Sequence, residues 1–302
     1  MAKSLTPSTR ADIYTRITAE IVAAIEAGAG EWRMPWHHDG ASTARPINVV
    51  SRKGYRGANV LALWAAAQAA GYPTGIWGTY AQWQAIGAQV RKGERATAIV
   101  FWKTTRAKPD EEGDPDETTD ERPRFFARGY SVFNEAQVDG YAAPEAAVLP
   151  ETERLAHAET FYANLGIPTV YGGAEACYVP SKDTVFMPSF GVFDTATDHY
   201  STLYHEGGHA TGAKHRLDRN FTIRFSHEAA AVEELVADVG SALILADLGI
   251  AMHPRPDHAA YLSSWLKVLK NDTSAIFAAS SKAQAAADWM HDRQPQLTDK
   301  AA

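Results

Sequence analysis

The sequence predicts an α+β chain of two domains, and three observations support this prediction. The chain has 302 residues, 45% of them hydrophobic, which is enough to fill two ordinary cores. Stretches with helical periodicity occur together with short β-like runs. Charge is segregated, because residues 1–103 hold 12 Lys and Arg against 6 Asp and Glu, whereas residues 104–302 hold 17 against 30. We therefore expect two halves that differ electrostatically.

The first half alternates helical and extended patterns. Apolar residues form one stripe from Asp12 to Ala27, and an Ala-rich apolar stretch begins at Gly57 or Asn59 and ends at Ala70. A third, short helix is predicted over 79–87. Residues 97–102 and 125–133 have the composition of strands, which we expect to pair as a hairpin. This half is therefore expected to be α+β.

An acidic segment lies between those two predicted strands. Residues 106–124 contain Asp110-Glu111-Glu112-Gly113-Asp114-Pro115-Asp116-Glu117, a composition that cannot bury enough apolar surface to order itself. We expect a flexible acidic loop; a flap that competes with nucleic acid is the alternative. A domain boundary is expected within 141–150, where two prolines interrupt a stretch without periodicity. The predicted domains are therefore 1–145 and 146–302.

Aromatic residues stand beside cations in the predicted N-terminal domain. This pattern suits single-stranded nucleic acid, because bases stack on aromatic faces while cations neutralise phosphates. The positive balance of this half also favours a polyanionic partner. Ordinary packing is the alternative for the rings, and Trp64 and Trp102 fall in apolar runs typical of a core. The candidate DNA contacts are Trp36, Lys53, Tyr55, Arg56, Trp77, Trp83, Arg91 and Lys92.

The segment His205-Glu206-Gly207-Gly208-His209 is the most informative motif of the chain. On a helix, residues four apart share a face, so both imidazoles can bind one metal ion while Glu206 lies beside it as a general base. Two surface histidines one turn apart are the alternative. This helix is expected to begin near Asp198 and to end near Gly212. Its two glycines cost roughly 1 kcal/mol each relative to Ala, which predicts a close neighbour.

A third metal ligand is predicted on a second helix, over 227–247. Glu234 and Asp238 are four residues apart and share a face; a solvated helix edge is the alternative explanation. We expect Glu234 to bind the metal and Asp238 to accept the distal N–H of a ligating imidazole. Glu233, about 100° away around the helix, is the second candidate for the ligand. The expected cofactor is one Zn²⁺ per chain, with another divalent ion as the alternative.

Two short β segments, 178–180 and 184–188, precede the metal helix. In zinc peptidases an edge strand commonly lies beside that helix and pairs with an extended substrate, and the same arrangement is a hypothesis for this chain.

Composition also bears on the cellular compartment. The N-terminus has no apolar leader and no stretch approaches the length of a spanning helix, so no membrane partner is expected. Cys177 is the only cysteine, which excludes an internal disulfide and a cysteine-based zinc cage. A reducing cytoplasm is the expected location.

Several motifs, distributed over nearly the whole chain, resemble one known family. Tyr55-Arg56-Gly57-Ala58-Asn59 and the segment from Trp77 to Trp83 look like the N-terminal domain of ArdC-type antirestriction proteins. The segment from Tyr204 to Gly212, together with Glu233 to Ala242, resembles the zincin-like metallopeptidase domain of that family. The resemblance implies a plasmid-encoded protein of the bacterial cytoplasm that binds single-stranded DNA and protects an incoming conjugative plasmid from restriction.

Two classes of function stay open. In the first, the DNA-binding half concentrates the protein on entering single strands, and the zinc centre cleaves a host protein. In the second, the chain is a non-catalytic DNA-binding shield whose metal braces the fold. Three non-cysteine ligands and a spare glutamate favour a catalytic design. A metal-dependent nuclease fits less well, because ions for phosphate chemistry are usually held by carboxylates.

Overall fold

The computed structural model describes residues 7–28, 45–105, 124–143, 150–219, 227–252 and 258–295. Trp36, residues 106–123 of the acidic segment and residues 144–149 at the expected domain boundary lie outside these ranges. The described helices are α1 (Pro7–Gly28), α2 (Ala58–Ala70), α3 (Tyr80–Ala85), α4 (Glu151–Ala163), α5 (Ala196–Ala210), α6 (His227–Asp247), α7 (His258–Asn271) and α8 (Ala275–His291).

Nine short to medium strands complete the described secondary structure, together with 3₁₀ turns at Glu135–Gln137 and Phe190–Val192. The strands are β1 (Ile47–Asn48), β2 (Ile76–Thr79), β3 (Gln89–Val90), β4 (Thr97–Thr105), β5 (Arg124–Asn134), β6 (Val138–Asp139), β7 (Thr169–Tyr171), β8 (Cys177–Val179) and β9 (Thr184–Met187). None of the described helices combines the length and apolarity needed to cross a bilayer.

A four-stranded sheet, in the order β1-β2-β5-β4, organises the N-terminal half. The antiparallel β4–β5 pair confirms the predicted hairpin and places Thr97 opposite Val132. β2 pairs antiparallel with β5, and β1 pairs parallel with β2. The sequence did not reveal β1 and β2, because strands of two and four residues are too short to show alternation.

Two helices cover this sheet. The predicted apolar stripe of α1 is buried, and Ile17, Ile21 and Ile25 have no exposed surface. On α2, the Asn59 side chain donates to the Val100 carbonyl at 2.7 Å and accepts from the Val100 N–H at 2.8 Å. β4 is the outermost strand, so this side chain closes part of an edge that could otherwise pair with another strand.

The C-terminal half combines a three-stranded sheet with helices α4 to α8. Its strand order is β7-β9-β8, and the antiparallel β8–β9 pair corresponds to the two predicted β segments. α5 lies against β8 and β9 and also against α6, which packs in turn on α7 and α8. The helix predicted over 227–247 is α6, and the Ala- and Ser-rich segment near the C-terminus forms α8. α4 and α7 were not predicted. The described architecture is α+β in both halves.

One hydrophobic cluster extends through both halves of the described chain. It includes Ile17 and Trp64 on the N-terminal side and Trp265 and Trp289 on the C-terminal side. α1 packs against α7, and α2 packs against α8. The two halves therefore share part of their apolar interior.

Polar contacts cross the same junction. Arg45 donates to Asp247 at 2.8 Å and to Gln284 at 2.6 Å, and Arg56 pairs with Asp288. These arginines come from the basic half, whereas the two aspartates belong to α6 and α8. Part of the charge asymmetry seen in the sequence is therefore neutralised within the molecule.

Candidate metal centre

The histidine motif lies on α5, which begins two residues earlier than predicted. Thr195 is the N-cap, because its hydroxyl oxygen accepts the Asp198 N–H at 3.1 Å while the Asp198 carboxylate accepts the Thr195 N–H at 3.1 Å. This reciprocal capping satisfies two of the amides that a helix start leaves without partners. The motif occupies the last two turns of α5, where His205, Glu206 and His209 are all buried.

The glycines of the motif allow two neighbours to approach closely. A Cβ atom built on Gly208 would lie 3.1 Å from the Cα and the carbonyl oxygen of Ala237 on α6, and one on Gly207 would lie 2.9 Å from the Tyr162 ring. The predicted close neighbour of this helix face is thus confirmed. The propensity cost of the two glycines is offset by a helix contact that brings α6 next to the imidazoles.

Both imidazoles face one carboxylate oxygen of α6. The Nε2 atoms of His205 and His209 lie 3.3 and 3.4 Å from Oε2 of Glu234. One ligand atom from each of the three residues lies within 4.8 Å of the other two. Two imidazole nitrogens and a carboxylate oxygen are a donor set that suits a divalent ion such as zinc. The structure therefore brings together the three residues predicted as ligands, in a chemistry that fits the metal.

A further carboxylate lies behind each imidazole. Oδ1 of Asp238 is 3.5 Å from Nδ1 of His205, and Oε1 of Glu233 is 3.3 Å from Nδ1 of His209. A carboxylate in this position fixes the tautomer and the orientation of a metal-binding imidazole. Asp238 was predicted for this place, but the sequence did not show that Glu233 occupies the equivalent place behind the second histidine.

Arg219 holds the Glu233 carboxylate in its position beside Nδ1 of His209. Its guanidinium donates to both carboxylate oxygens of Glu233, at 2.9 and 3.1 Å, and also to the Gly208 carbonyl and the Thr211 hydroxyl. These bonds occupy Glu233 and favour Glu234 as the third ligand. Arg219 was missed from the sequence, because it follows α5 in a turn with no recognisable motif.

Mutual pairing stabilises the charges of this cluster. Burial alone would raise the pKa of Glu233, but its bonds to His209 and Arg219 lower that pKa to about 2. Burial would also raise the pKa of Glu234, but the bonds to His205 and His209 outweigh this effect and hold the pKa well below its usual range. For His209, burial lowers the pKa, but the bonds to Glu233 and Glu234 raise it to about 9. Both glutamates are thus anionic at neutral pH.

Glu206 contacts the edge of the small sheet. Its Oε2 accepts the backbone N–H of Tyr178 at 2.8 Å. β8, which contains Tyr178, is an outer strand of its sheet and lies against α5. The sheet edge predicted to lie beside the metal helix is therefore in contact with the glutamate of the motif.

The β8–β9 turn is fastened to the end of α5. Asp183 accepts the Tyr178 hydroxyl at 2.8 Å and two bonds from Arg216, at 2.6 and 2.9 Å. Arg216 also donates to the Ala210 carbonyl at the end of α5. This network joins the β8–β9 turn to the end of α5.

Two of the predicted DNA contacts are wrong for a simple reason. Trp77 and Trp83 have no exposed surface, so their rings cannot stack on bases. Trp77 packs in a cluster with Leu63 and Val132, and the Trp83 indole donates to the Phe133 carbonyl at 3.1 Å. Both tryptophans are core residues.

The remaining DNA candidates differ in accessibility. Lys53 and Lys92 are exposed, whereas Tyr55 is partly buried and its hydroxyl accepts from Asn48. Arg56 pairs with Asp288, and Arg91 pairs with Glu94 at 2.9 Å. Of these residues only Tyr55 has an aromatic ring, and Trp36 lies outside the described residues.

Comparison with known proteins decides the family. Residues 11–133 match the family described as the N-terminal domain of anti-restriction factor ArdC, and residues 156–282 match zincin-like metallopeptidases. The crystal structure of the antirestriction ArdC protein from plasmid R388, in its metal-free form, is similar with a TM-score of 0.75 at 35% identity. That alignment covers 93% of this chain and 97% of the R388 chain.

This chain belongs to the ArdC antirestriction family.

Other relatives place the family in a wider context. The Mn(II)-bound structure of the R388 ArdC protein aligns with a TM-score of 0.73 at 34% identity, over 94% of this chain and 99% of that chain. The protein y4eC of Sinorhizobium fredii is 56% identical over 97% of this chain and 96% of its own length. A DNA primase TraC of Escherichia coli is 36% identical over 92% of this chain, but the match spans only 27% of the primase. The ArdC-like unit is thus also found within larger proteins.

Proposed function

We propose that this protein is an antirestriction factor that binds single-stranded DNA and carries a zinc metallopeptidase-like centre. Residues 1–145 form the DNA-binding domain and residues 146–302 the metallopeptidase-like domain in this proposal. The protein acts in the bacterial cytoplasm, where it protects conjugatively transferred plasmid DNA from host restriction. The family supports the antirestriction role, and the approach of His205 and His209 to one oxygen of Glu234 supports the metal centre.

The donor set indicates which residues hold the ion. One divalent metal ion would be bound by His205, His209 and Glu234. Zn²⁺ is preferred, because two imidazoles and a carboxylate are typical zinc ligands. The Mn(II) bound in the R388 relative supports a divalent ion. A bound ion of this kind polarises a carbonyl group and acidifies a water molecule. Asp238 and Glu233 orient the two imidazoles from behind.

Glu206 has the position of a proton carrier. Glu206 lies on α5 next to His205, and its carboxylate accepts a hydrogen bond from the Tyr178 N–H at the edge of the small sheet. In peptide hydrolysis Glu206 accepts the proton of the attacking water and passes it to the leaving amine. An extended segment of a host protein at β8 is the substrate class that this arrangement fits.

A non-catalytic DNA-binding shield is the second candidate. A structural zinc site normally closes four positions with protein ligands, whereas the described residues offer three close donors and a buried glutamate beside them. This difference favours the catalytic design. The Arg219–Glu233 pair is compatible with either function.

One comparison separates the two candidates. Glu206→Gln protein is first checked for metal content and for DNA binding, and is then tested for protection of a plasmid transferred into a restricting recipient. Loss of protection supports hydrolysis, and full protection supports the shield. His205→Ala is the matched variant that should lose the metal as well. Wild-type protein that purifies without stoichiometric divalent metal would overturn the metal centre.

A further inference from the structure

Two aromatic rings and one guanidinium form a cluster on one face of the β4–β5 hairpin. The register places Phe101 opposite Arg128 and Ile99 opposite Tyr130. Because side chains alternate along a strand, Phe101, Arg128 and Tyr130 all project from the same face. The ring centroids of Phe101 and Tyr130 are 6.3 Å apart, and the guanidinium carbon of Arg128 lies 5.0 Å from the Tyr130 centroid.

This face changes from core to surface along the hairpin. Ile99 and Val132 are buried against Leu63 on α2, next to Trp77. Two residues further along β4, Phe101 is 58% exposed. An isolated exposed ring needs no explanation, but here the ring lies next to a second aromatic residue and a cation on a regular, hydrogen-bonded hairpin.

The cation of this cluster keeps its charge available. Among the side chains that the structure describes, no carboxylate forms a salt bridge with the Arg128 guanidinium, which packs over the Tyr130 ring instead. Arg56 and Arg91, by contrast, are paired with Asp288 and Glu94. Arg128 can therefore meet a phosphate without first breaking an ion pair with a described residue.

A further aromatic residue packs against the same apolar cluster and lies near two charged residues. Tyr72 packs in the same apolar cluster as Tyr130 and lies 5.9 Å from Trp77 between ring centroids. Its hydroxyl is close enough to Glu94 and Arg91 for their charges to act on its pKa, although burial is the larger effect. The exposed Lys92 follows directly in the sequence.

We propose that single-stranded DNA binds across this face, with bases stacked on Phe101 and Tyr130 and a phosphate neutralised by Arg128. This placement rests on the DNA binding proposed above and locates it on the hairpin, away from the buried tryptophans. Stacking on aromatic rings requires unpaired bases, so single strands bind better than duplex. The cation beside the rings distinguishes this face from a purely apolar docking surface.

Fluorescence anisotropy with a labelled oligothymidine and full-length protein tests this site. Phe101→Ala should weaken binding by about 5-fold to 160-fold, which corresponds to the loss of stacking for one base. Arg128→Gln should weaken binding and reduce the slope of log K against log salt by about 0.7, which corresponds to one phosphate contact on a single strand. Both side chains are exposed, so the variants should fold, which circular dichroism and metal content will verify.

Matched controls come from exposed residues elsewhere. Phe190→Ala removes a ring that is 53% exposed in the C-terminal half, and Arg16→Gln removes a cation that is 52% exposed on α1. Both should bind DNA like the wild type. Unchanged binding by Phe101→Ala and Arg128→Gln would overturn the site while leaving the proposed function intact. Duplex that competes as well as the single strand would overturn base stacking, and wild-type protein that binds no DNA would overturn the proposed function itself.

Discussion

Arg219 holds the Glu233 carboxylate against the distal nitrogen of His209, with two donated bonds of 2.9 and 3.1 Å. The guanidinium also donates to the Gly208 carbonyl in the last turn of α5. Arg219, which lies in the turn after α5, therefore contacts both α5 and α6. The side chains of Arg219 and Glu233 are only 7% and 12% exposed, so solvent screens this pair weakly.

Arg219→Met should weaken metal binding while preserving the ligands. The substitution leaves Glu233 without its cation and frees it to move away from His209, and loss of such an outer partner typically costs 10-fold to 100-fold in affinity. Competition with a chromogenic chelator measures the effect. Arg45→Met is the control, because Arg45 pairs with Asp247 and Gln284 and not with a residue of the metal cluster. Equal metal affinity for the Arg219 variant and wild type would refute the orienting role of Glu233.

Gly208→Ala should destabilise the protein despite a better helix propensity. The added methyl group would lie 3.1 Å from backbone atoms of Ala237, so α5 and α6 must separate. Overpacking of this kind costs about 1–3 kcal/mol, against a propensity gain of about 1 kcal/mol. Urea unfolding measures the difference. Gly191→Ala meets open space and should change the free energy of unfolding by less than about 0.5 kcal/mol. A stabilised Gly208 variant would contradict the close helix contact.

Asp183→Asn should cost stability in a pH-dependent manner. Burial opposes the Asp183 charge, but the bonds from Arg216 and Tyr178 outweigh it and hold its pKa below the usual value. A carboxylate with a lowered pKa stabilises the fold at pH values above the pKa that it has in the unfolded chain. This stabilisation is lost as the pH falls through the pKa that it has in the folded protein. We expect a loss of about 1–3 kcal/mol at neutral pH, which shrinks as the pH falls below about 4.

Asparagine suits this test because Asp183 has φ 47°, a left-handed conformation that Asn also tolerates. The substitution thus removes the charge with little backbone strain. Urea titrations of both proteins at several pH values provide the comparison. A stability gap that stays constant from neutral to acidic pH would show that the Asp183 charge is not the cause.

Arg45→Met and Arg56→Met should differ in their effect on stability. The side chains of Arg45 and Asp247 are 14% and 20% exposed, and Arg45 also donates to Gln284. Loss of these contacts should cost about 2–4 kcal/mol. The Arg56–Asp288 pair is 61% and 40% exposed and should contribute less than about 1 kcal/mol. Chemical unfolding followed by tryptophan fluorescence distinguishes them. Equal effects would mean that burial does not govern these contacts.

Elements with long, regular patterns were predictable from the sequence. The α1 stripe, the β4–β5 hairpin and α6 each repeat a helical or strand signal over nine or more residues. The grouping of the candidate metal residues was predictable for a related reason. The spacing of His205 and His209 on one helix, and of Glu234 and Asp238 on another, fixes which side chains share a face. Whether these residues bind metal stays a prediction.

Contacts between distant segments were not predictable in the same way. Trp77 and Trp83 stand in motifs that resemble stacking sites, yet whether a ring is core or surface depends on tertiary neighbours such as Leu63 and Phe133. Arg219 has no local pattern, and its function depends on a carboxylate 14 residues away. Phe101 and Arg128 become neighbours only through strand register.

The apolar interior shared by the two halves has a practical consequence for anyone who wishes to study them separately. A fragment that stops near residue 145 would leave the faces of α1 and α2 that normally meet α7 and α8 exposed to water. The complementary fragment would expose the matching surfaces of α7 and α8 and would leave Asp247 and Asp288 without the arginines that pair with them. Such pieces are prone to aggregate, so substitutions in the intact polypeptide are the better way to assign roles to each half.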